Sequence, residues 1–226
     1  MLYSRYIKRI LDFCIALLAL LLLSPLFLLL MVLGAIIMKG NPFFTQMRPG
    51  KDERIFRLIK FRSMTCEKDA DGNLLPDEKR LVPYGKFLRS TSLDELPELI
   101  NILVGDMALV GPRPQLVRDM VFMTPEQRRR HTVRQGLTGL AQVSGRNALS
   151  WESKLEHDLC YIQNISFTGD VAIIFKTFYK TLKRDGINEE GQATAMDFGD
   201  YLLSRGLVSQ EFYDQRQQEA SCLLQQ

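Results

Sequence analysis

The chain has 226 residues, 46% of them apolar, and a formal net charge of +3. That is enough apolar material for one buried core and one membrane segment, and it excludes a disordered tail. The charge is uneven: residues 1–62 hold ten Lys/Arg against three Asp/Glu, and the remainder nineteen against twenty-three. The basic part is thus the part that carries the apolar segment. This points to an anionic membrane surface or an anionic substrate and argues against nucleic acid, since neither an aromatic-basic motif nor a zinc spacing accompanies the charge. Cys14, Cys66, Cys160 and Cys222 have no close pair and read as reduced thiols, not as a disulfide frame or a metal cluster.

Phe13 to Met38, "FCIALLALLLLSPLFLLLMVLGAIIM", runs 26 residues without a charge, long enough to cross a bilayer once as a helix. It is too long for a signal peptide, and no small-x-small cleavage site follows it. Arg5, Lys8 and Arg9 precede it and Lys39, Arg48, Lys51 and Arg54 follow, so by the positive-inside rule both ends prefer the cytoplasm. In the middle, Pro25 removes a helix hydrogen bond and bends the chain, and the hydroxyl of Ser24 can satisfy the freed carbonyl. The pattern reads as a re-entrant helical hairpin broken at Ser24-Pro25, with a Pro-kinked single span as the competing reading.

"NPFFTQMRPGKDERIFRLIKFRSM" reads as a β-hairpin turning around Pro49-Gly50-Lys51-Asp52. The two-residue period puts Lys60 and Arg62 on one face and Ile59 and Phe61 on the other, which aims two cations together unless the strand is a solvated edge. "CEKDADGNLLPDEKRL" reads as a surface loop.

"STSLDELPEL" places Asp94 and Glu95 side by side. Ser92 and Glu95 have the spacing of a capping box, but Pro97 would then forfeit a backbone bond, so the helix starts either at that box or at Pro97. Either way the two acids lie at the positive end of "LPELINILVG", whose apolar face is Leu96, Leu99, Ile100 and Leu103 and which stops near Gly105. A carboxylate held there, near Arg89, stays ionised at neutral pH, which suits a nucleophile or a magnesium ligand better than a general acid. Adjacent helical residues point about 100° apart, so the two acids more easily do two jobs than share one proton.

"GDMALVGPRPQL" sets Arg113 between two prolines on a stiff loop, with a planar fork suited to phosphate oxygens. "RQGLTGLAQVSGR" strings Gly136, Gly139 and Gly145 with Thr138, Gln142 and Arg146: backbone able to approach a ligand closely, with polar groups and a cation beside it. It has the spacing of neither a P-loop nor a dinucleotide fingerprint. The run Arg128-Arg129-Arg130 reads as a solvated face, His131 and His157 as solvated helix positions, and Trp151 as core. "DVAIIFKTFYKTLKR" sets Ile173, Ile174, Phe178 and Leu182 against Lys176, Lys180, Lys183 and Arg184, as an interfacial helix or an amphipathic core helix. Beyond about Phe198, Tyr201, Leu202, Leu203, Leu207, Val208, Phe212 and Tyr213 suffice for a short helix or two, a self-association or docking element.

In this order, Ser24-Pro25, "KFRSM", "TSLDELPEL", "GDMALVGPRP", "GLTGLAQVSGR" and "DLCYIQNISFTGDVAIIFKT" resemble the bacterial sugar transferase family, the monotopic phosphoglycosyl transferases. The resemblance runs from about the N-terminus to about Phe198 and is greatest to the small diacetylbacillosamine-phosphate transferase type, whose tail is similar to "EGQATAMDF". The expected fold is α+β, a mostly helical monotopic membrane protein: a re-entrant helical hairpin over 1–40, a catalytic domain on the cytoplasmic face over 41–198 with a small β-hairpin and interfacial amphipathic helices, and a C-terminal extension over 199–226.

The resemblance implies transfer of a sugar 1-phosphate from a UDP-sugar to polyprenyl (undecaprenyl) phosphate, with release of UMP and with Mg²⁺ as cofactor, as the first membrane step of glycoconjugate assembly. Asp94 would attack the sugar-bearing phosphate in a ping-pong route through a phosphosugar-aspartyl intermediate, and Glu95 would help place the Mg²⁺. Lys60, Arg62, Arg89 and Arg113 are then candidates for the pyrophosphate and the acceptor phosphate, and Arg146 for the nucleotide side. Asp158 and Asp170 fall where the family has aspartates and are expected to serve structural hydrogen bonding. An N-acetylated amino sugar is the expected cargo. Membrane lipids are expected partners, a homodimer through the extension another, and the bacterial inner membrane the expected location. The competing classes are a membrane-anchored adaptor in which Asp94-Glu95 merely caps a helix, and a membrane phosphatase working through an aspartyl-phosphate.

Overall fold

The computed structural model describes residues 2–145, 149–183 and 196–225. A π-helical turn, Tyr3–Ile7, leads into α1 (Lys8–Leu22), and α2 (Ser24–Ile37) leaves it at a bend of 66°. The bend has the expected cause. Pro25 has no N–H to give the Leu21 carbonyl four residues back, and Ser24 Oγ donates to that carbonyl at 2.8 Å. Among the described residues no single helix is long and apolar enough to cross a membrane; the bent pair passes that test only together. One side of the pair is buried, through Ala16 and Leu30, while Ile10, Leu18, Leu22, Leu28, Val32 and Ile36 on other sides stay exposed.

The expected hairpin follows as β1 (Phe43–Pro49) and β2 (Ile55–Phe61), antiparallel with Phe43 opposite Phe61 and Pro49 opposite Ile55. The loop after it is largely exposed and holds one short helix, α3 (Asp77–Arg80). Then come α4 (Pro83–Thr91), a 3₁₀ turn (Leu93–Glu95), α5 (Glu98–Val104) and β3 (Met107–Val110). Short helices α6 (Val117–Met120) and α7 (Pro125–Arg128) precede β4 (Gln135–Thr138), and α8 (Leu140–Ser144), α9 (Trp151–Gln163), α10 (Phe167–Lys183), α11 (Phe198–Ser204) and α12 (Gln210–Gln225) complete the chain. The fold is α+β and mostly helical.

The glycine-rich stretch is where the structure departs from expectation. β3 and β4 pair in parallel, and a Cβ on Gly136 would sit 2.1 Å from the amide nitrogen of Gly111. Glycine at both positions therefore lets two backbones touch each other. The close approach is to the chain itself, and it seats the loop that carries Arg113.

The main core joins the N-terminal pair to the sheet and α5 through Ala16, Leu30, Phe61, Leu88, Leu99 and Ile102. Ile102 is fully buried, whereas Ile100 and Leu103 of the expected apolar face are half-exposed, because α1 packs along α5 and sets which side is inward. Polar groups stitch the same joint. Arg9 donates to the carbonyls of Ile102 (2.5 Å) and Leu103 (2.9 Å) at the end of α5, and Asp12 accepts from the Leu109 amide at 3.2 Å. Asp170 fulfils its structural reading by accepting from Lys8 (2.6 Å), Tyr3 (2.6 Å) and Tyr161 (2.8 Å).

A second core, around Met120, Phe122, Trp151, Leu155, Phe198 and Ala220, packs α11 and α12 back onto α6 and α9. Trp151 is core, as expected, and gives its indole N–H to the Met196 carbonyl at 3.1 Å. On α10 the expected apolar face divides: Ile173 is buried with Val110, Val143 and Tyr161, while Phe178 is exposed, as are Phe175 and Tyr179 outside that face. Arg184 and the side chain of Leu182 lie outside the described residues.

Candidate active site

The acidic pair is positioned by a sharp reversal between α4 and α5. Gly85 lets α4 press on the strand exit, since a Cβ there would meet the Ser63 carbonyl oxygen at 1.8 Å. One turn later Arg89 Nε donates to Ser63 Oγ at 3.0 Å. Ser92, with φ 57°, ends α4 in the left-handed region, a strained conformation for serine of the kind that clusters at functional sites. The 3₁₀ turn with Asp94 and Glu95 follows directly, and α5 begins at Glu98 behind Pro97. The capping box therefore does not form, and the helix start falls at the proline. Ion pairing is the reason: Glu95 Oε1 accepts from Lys60 at 2.8 Å and from Arg113 at 2.6 Å instead of turning back to Ser92. Asn101 locks α5 to β2, accepting from the Ile59 amide (3.1 Å) and donating to the Arg57 carbonyl (2.8 Å), which fixes the strand just before Lys60.

Lys60 also reaches Glu98 at 3.1 Å, so charges alternate along the row Arg113, Glu95, Lys60, Glu98. This sends the two acids of the pair in opposite directions. Burial pushes the Asp94 carboxyl up to about 6, with the charge of Glu95 adding to it and Lys60, Arg113 and Arg89 opposing. Burial also raises Glu95, but Arg113 and Lys60 together outweigh it and hold that carboxyl well below the usual range. Burial pushes Glu98 up to about 7, against Lys60. Asp94 is thus a weaker acid than the helix end and Arg89 alone suggest, yet still mostly ionised at pH 7.

A cavity of ≈ 690 Å³ opens beside this row. Lys60, Arg89, Glu95, Glu98, Arg113 and Arg48 line its polar side, and Ile15, Ala19, Leu23, Leu137, Ile174 and Phe178 an apolar side that includes the N-terminal helices. Glu95 is the member of the pair on the wall; Asp94 is half-buried beside it. The structure thus gathers Lys60, Arg89, Asp94, Glu95 and Arg113. Arg62 does not join them: it follows the last residue of β2, its amide bonded to the Pro42 carbonyl at 2.7 Å, and it does not line the cavity. Arg146 lies outside the described residues.

The arginine run is a solvated face only at Arg129, which is exposed. Arg128 pairs with Glu53 at 2.7 and 2.5 Å, Arg129 with Glu126 at 2.6 Å, and the fully buried Arg130 with Asp158 at 2.9 and 2.7 Å. His131 is buried too, since α9 and the turn Lys51–Glu53 pack against the turn Arg129–Thr132 that carries it; burial and the neighbouring Arg130 charge lower its pKa to about 3. Arg130 Nη2 also donates to the Arg113 carbonyl at 2.6 Å, so the Arg130–Asp158 pair holds the Arg113 loop from behind. Sequence reasoning missed this support, and it missed Glu98 and Arg48. Glu98 was findable from its i+3 spacing to Glu95. Arg48 shares a strand face with Gln46 by the two-residue period.

Among the described residues no three His, Cys, Asp or Glu side chains gather to hold a metal. Mg²⁺ commonly takes only one or two carboxylates and completes its shell with water and substrate phosphates. Asp94 fits such a partial set because burial and the charge of Glu95 push its carboxyl up, a penalty that a bound cation would relieve. Glu95 offers only Oε2, its Oε1 being shared by two cations.

Residues 3–184 match the model of the family described as bacterial sugar transferase. The chain is 50% identical over 160 residues to the Bacillus subtilis protein named uncharacterized sugar transferase EpsL, covering 70% of this chain and 79% of that one. It is 39% identical to the UDP-glucose:undecaprenyl-phosphate glucose-1-phosphate transferase of Klebsiella pneumoniae, and 40% identical to the UDP-N-acetylgalactosamine-undecaprenyl-phosphate N-acetylgalactosaminephosphotransferase of Aeromonas hydrophila. Each match covers 76% of this chain, but only 39% and 43% of those longer proteins. A match across most of its length, a range that includes the acidic row and its cations, means that the chain belongs to the bacterial sugar transferase family.

Proposed function

We propose that the protein transfers a sugar 1-phosphate from a UDP-sugar, with an N-acetylated amino sugar as the favoured cargo, to polyprenyl phosphate of the undecaprenyl class, releasing UMP. The observation that carries this reading is the acidic pair set among Lys60, Arg89 and Arg113 at a cavity whose other wall is apolar and built partly from the N-terminal helices. Phosphoryl transfer asks chiefly for positioning and charge neutralisation, and a lipid phosphate needs that chemistry beside an apolar surface.

The opposed shifts divide the labour. Glu95, tied to two cations, is the weaker base of the pair and organises Lys60 and Arg113. Asp94 is the stronger base and still mostly ionised at pH 7, which makes it the nucleophile. Its oxygen attacks the sugar-bearing phosphorus, UMP leaves, and a phosphosugar-aspartyl intermediate remains. A polyprenyl phosphate oxygen then attacks the same phosphorus and frees Asp94. Mg²⁺ bound at Asp94 and Glu95 would neutralise diphosphate charge. The exposed apolar side chains of α1 and α2, the 66° bend and the exposed aromatics of α10 support a re-entrant, monotopic seat on the cytoplasmic leaflet of the inner membrane.

The test is intact-protein mass spectrometry with Mg²⁺ and a panel of UDP-sugars, without lipid acceptor. A mass gain of one sugar phosphate in the wild type and none in Asp94→Asn supports the route and names the sugar. If no donor gives an adduct, and none gives UMP when polyprenyl phosphate is added, the reading is wrong.

A further inference from the structure

Arg48 is a cation on the cavity wall without an ion-pair partner among the described residues. It lies on β1 at the register position opposite Phe56. Its Nη2 donates to Gln46 Oε1 at 2.8 Å and its Nη1 to the Pro114 carbonyl at 3.3 Å, while Nε is buried with no acceptor at all. The carboxylates whose charge reaches it are engaged elsewhere. Asp119 accepts from the amides of Leu116 (3.0 Å) and Phe198 (2.8 Å), Glu98 holds Lys60 at 3.1 Å, and Asp197 pairs with Arg118. Burial, and after it the repulsion of Arg113 from the same loop, lowers the Arg48 pKa to about 10. A guanidinium set beside a second one, with an open donor and no counter-ion, is costly unless an anion completes it.

The two cations differ in what they have left to offer. Arg113 is committed to Glu95, whereas Arg48 gives its bonds to neutral acceptors only and flanks the same Gly111–Pro114 loop through the Pro114 carbonyl. A diphosphate brings two anionic groups to this wall. We propose that Arg48 binds the nucleotide-side phosphate of the donor and stabilises it as it leaves. This rests on the transfer reaction proposed above. In the first step an Asp94 oxygen forms a bond to the sugar-bearing phosphorus, and the bond from that phosphorus to the bridging oxygen breaks. The electron pair stays on UMP, which departs as a dianion without taking a proton. Arg48 meets that new charge. It has no part in the second step, in which polyprenyl phosphate attacks the aspartyl adduct after UMP has gone.

The experiment uses full-length protein in nanodiscs and measures UMP and uridine binding by calorimetry, adduct formation from the UDP-sugar, and reaction of the preformed adduct with polyprenyl phosphate. Loss of a charge-assisted hydrogen bond should weaken binding roughly 10- to 100-fold. Arg48→Gln should therefore weaken UMP by that factor and slow adduct formation, while leaving uridine binding and the second half-reaction within about twofold of wild type. Arg48→Lys keeps the charge but not the fork. It should fall between, roughly three- to tenfold weaker for UMP, and it carries the test if the glutamine variant does not fold. UMP affinity within about twofold of wild type in a folded Arg48→Gln, or in Arg48→Lys if that alone folds, overturns the assignment, as does equal weakening of UMP and uridine. Wild-type protein that neither binds UMP nor forms an adduct overturns the transfer reaction itself, so the two failures are distinguishable.

Discussion

Asp158→Asn removes the charge facing a guanidinium that has no solvent to fall back on. Arg130 has 0% and Asp158 2% of its surface exposed, and Asp158 Oδ2 accepts both Arg130 Nε and Nη2. Breaking a buried pair by neutralising one member costs about 3–5 kcal/mol, because an uncompensated charge is left behind. For a chain of this size that corresponds to a drop of roughly 6–20 °C in the unfolding midpoint. The same arginine holds the Arg113 carbonyl at 2.6 Å, so adduct formation should fall as well, even well below the midpoint. The double variant Arg130→Met/Asp158→Leu separates the two effects. With both charges gone and apolar groups in their place, most of the stability should return, whereas activity should not, since the Arg113 carbonyl has lost its donor. Thermal unfolding in nanodiscs and adduct formation at one low temperature read both quantities. An Asp158→Asn midpoint within about 2 °C of wild type, or a double variant no more stable than the single, would refute the reasoning.

His131 sets an acid limb. Its folded pKa lies near 3 against about 6.5 unfolded; above pH 6.5 it is neutral in both states, and as pH falls from there to about 3 only the unfolded chain takes the proton. Stability should drop by up to about 1.4 kcal/mol per pH unit from this group. In His131→Gln that part of the slope should vanish, and denaturant titrations of the two proteins running parallel from pH 6.5 to 4 would contradict the assignment. Gly136→Ala forces a Cβ to 2.1 Å from Gly111 N and should cost on the order of 3 kcal/mol or more, with loss of adduct formation. Gly40→Ala, where a Cβ meets nothing within 4 Å, should be close to neutral by the same unfolding assay. Pro25→Ala restores an N–H for the Leu21 carbonyl and should let part of the population straighten across the bilayer. Cysteine-accessibility labelling in intact cells should then find one flank outside in the variant; either flank labelled from outside in the wild type would sink the re-entrant reading.

The features readable from sequence are those that local chemistry dictates. The Ser24-Pro25 break, the hairpin turning at Pro49–Asp52 and the helix stop at Gly105 each follow from a residue's own backbone preference. The gathering of Lys60, Arg89 and Arg113 around the acids was legible only as a resemblance; no spacing within the chain shows that Lys60 and Glu95 meet. What sequence reasoning misplaced depends on distant partners. Arg128 and Arg130 look as solvated as Arg129 until Glu53, 75 residues from Arg128, and Asp158, 28 residues from Arg130, are brought to them. Gly136 looks like a ligand-approach position until Gly111 occupies the space. Arg62, a candidate by resemblance and by its shared strand face with Lys60, does not line the cavity.

Arg9 has a practical consequence for anyone wishing to work in plain buffer. By gripping the carbonyls at one end of α5, it makes the greasy N-terminus a splint for the segment that bears the acids at the other end, and Ile15, Ala19 and Leu23 are bricks in the reaction chamber's own wall. Trimming residues 1–40 to gain solubility should not yield the same machine without its tether. It should yield a chamber with one side missing and its central helix unsplinted.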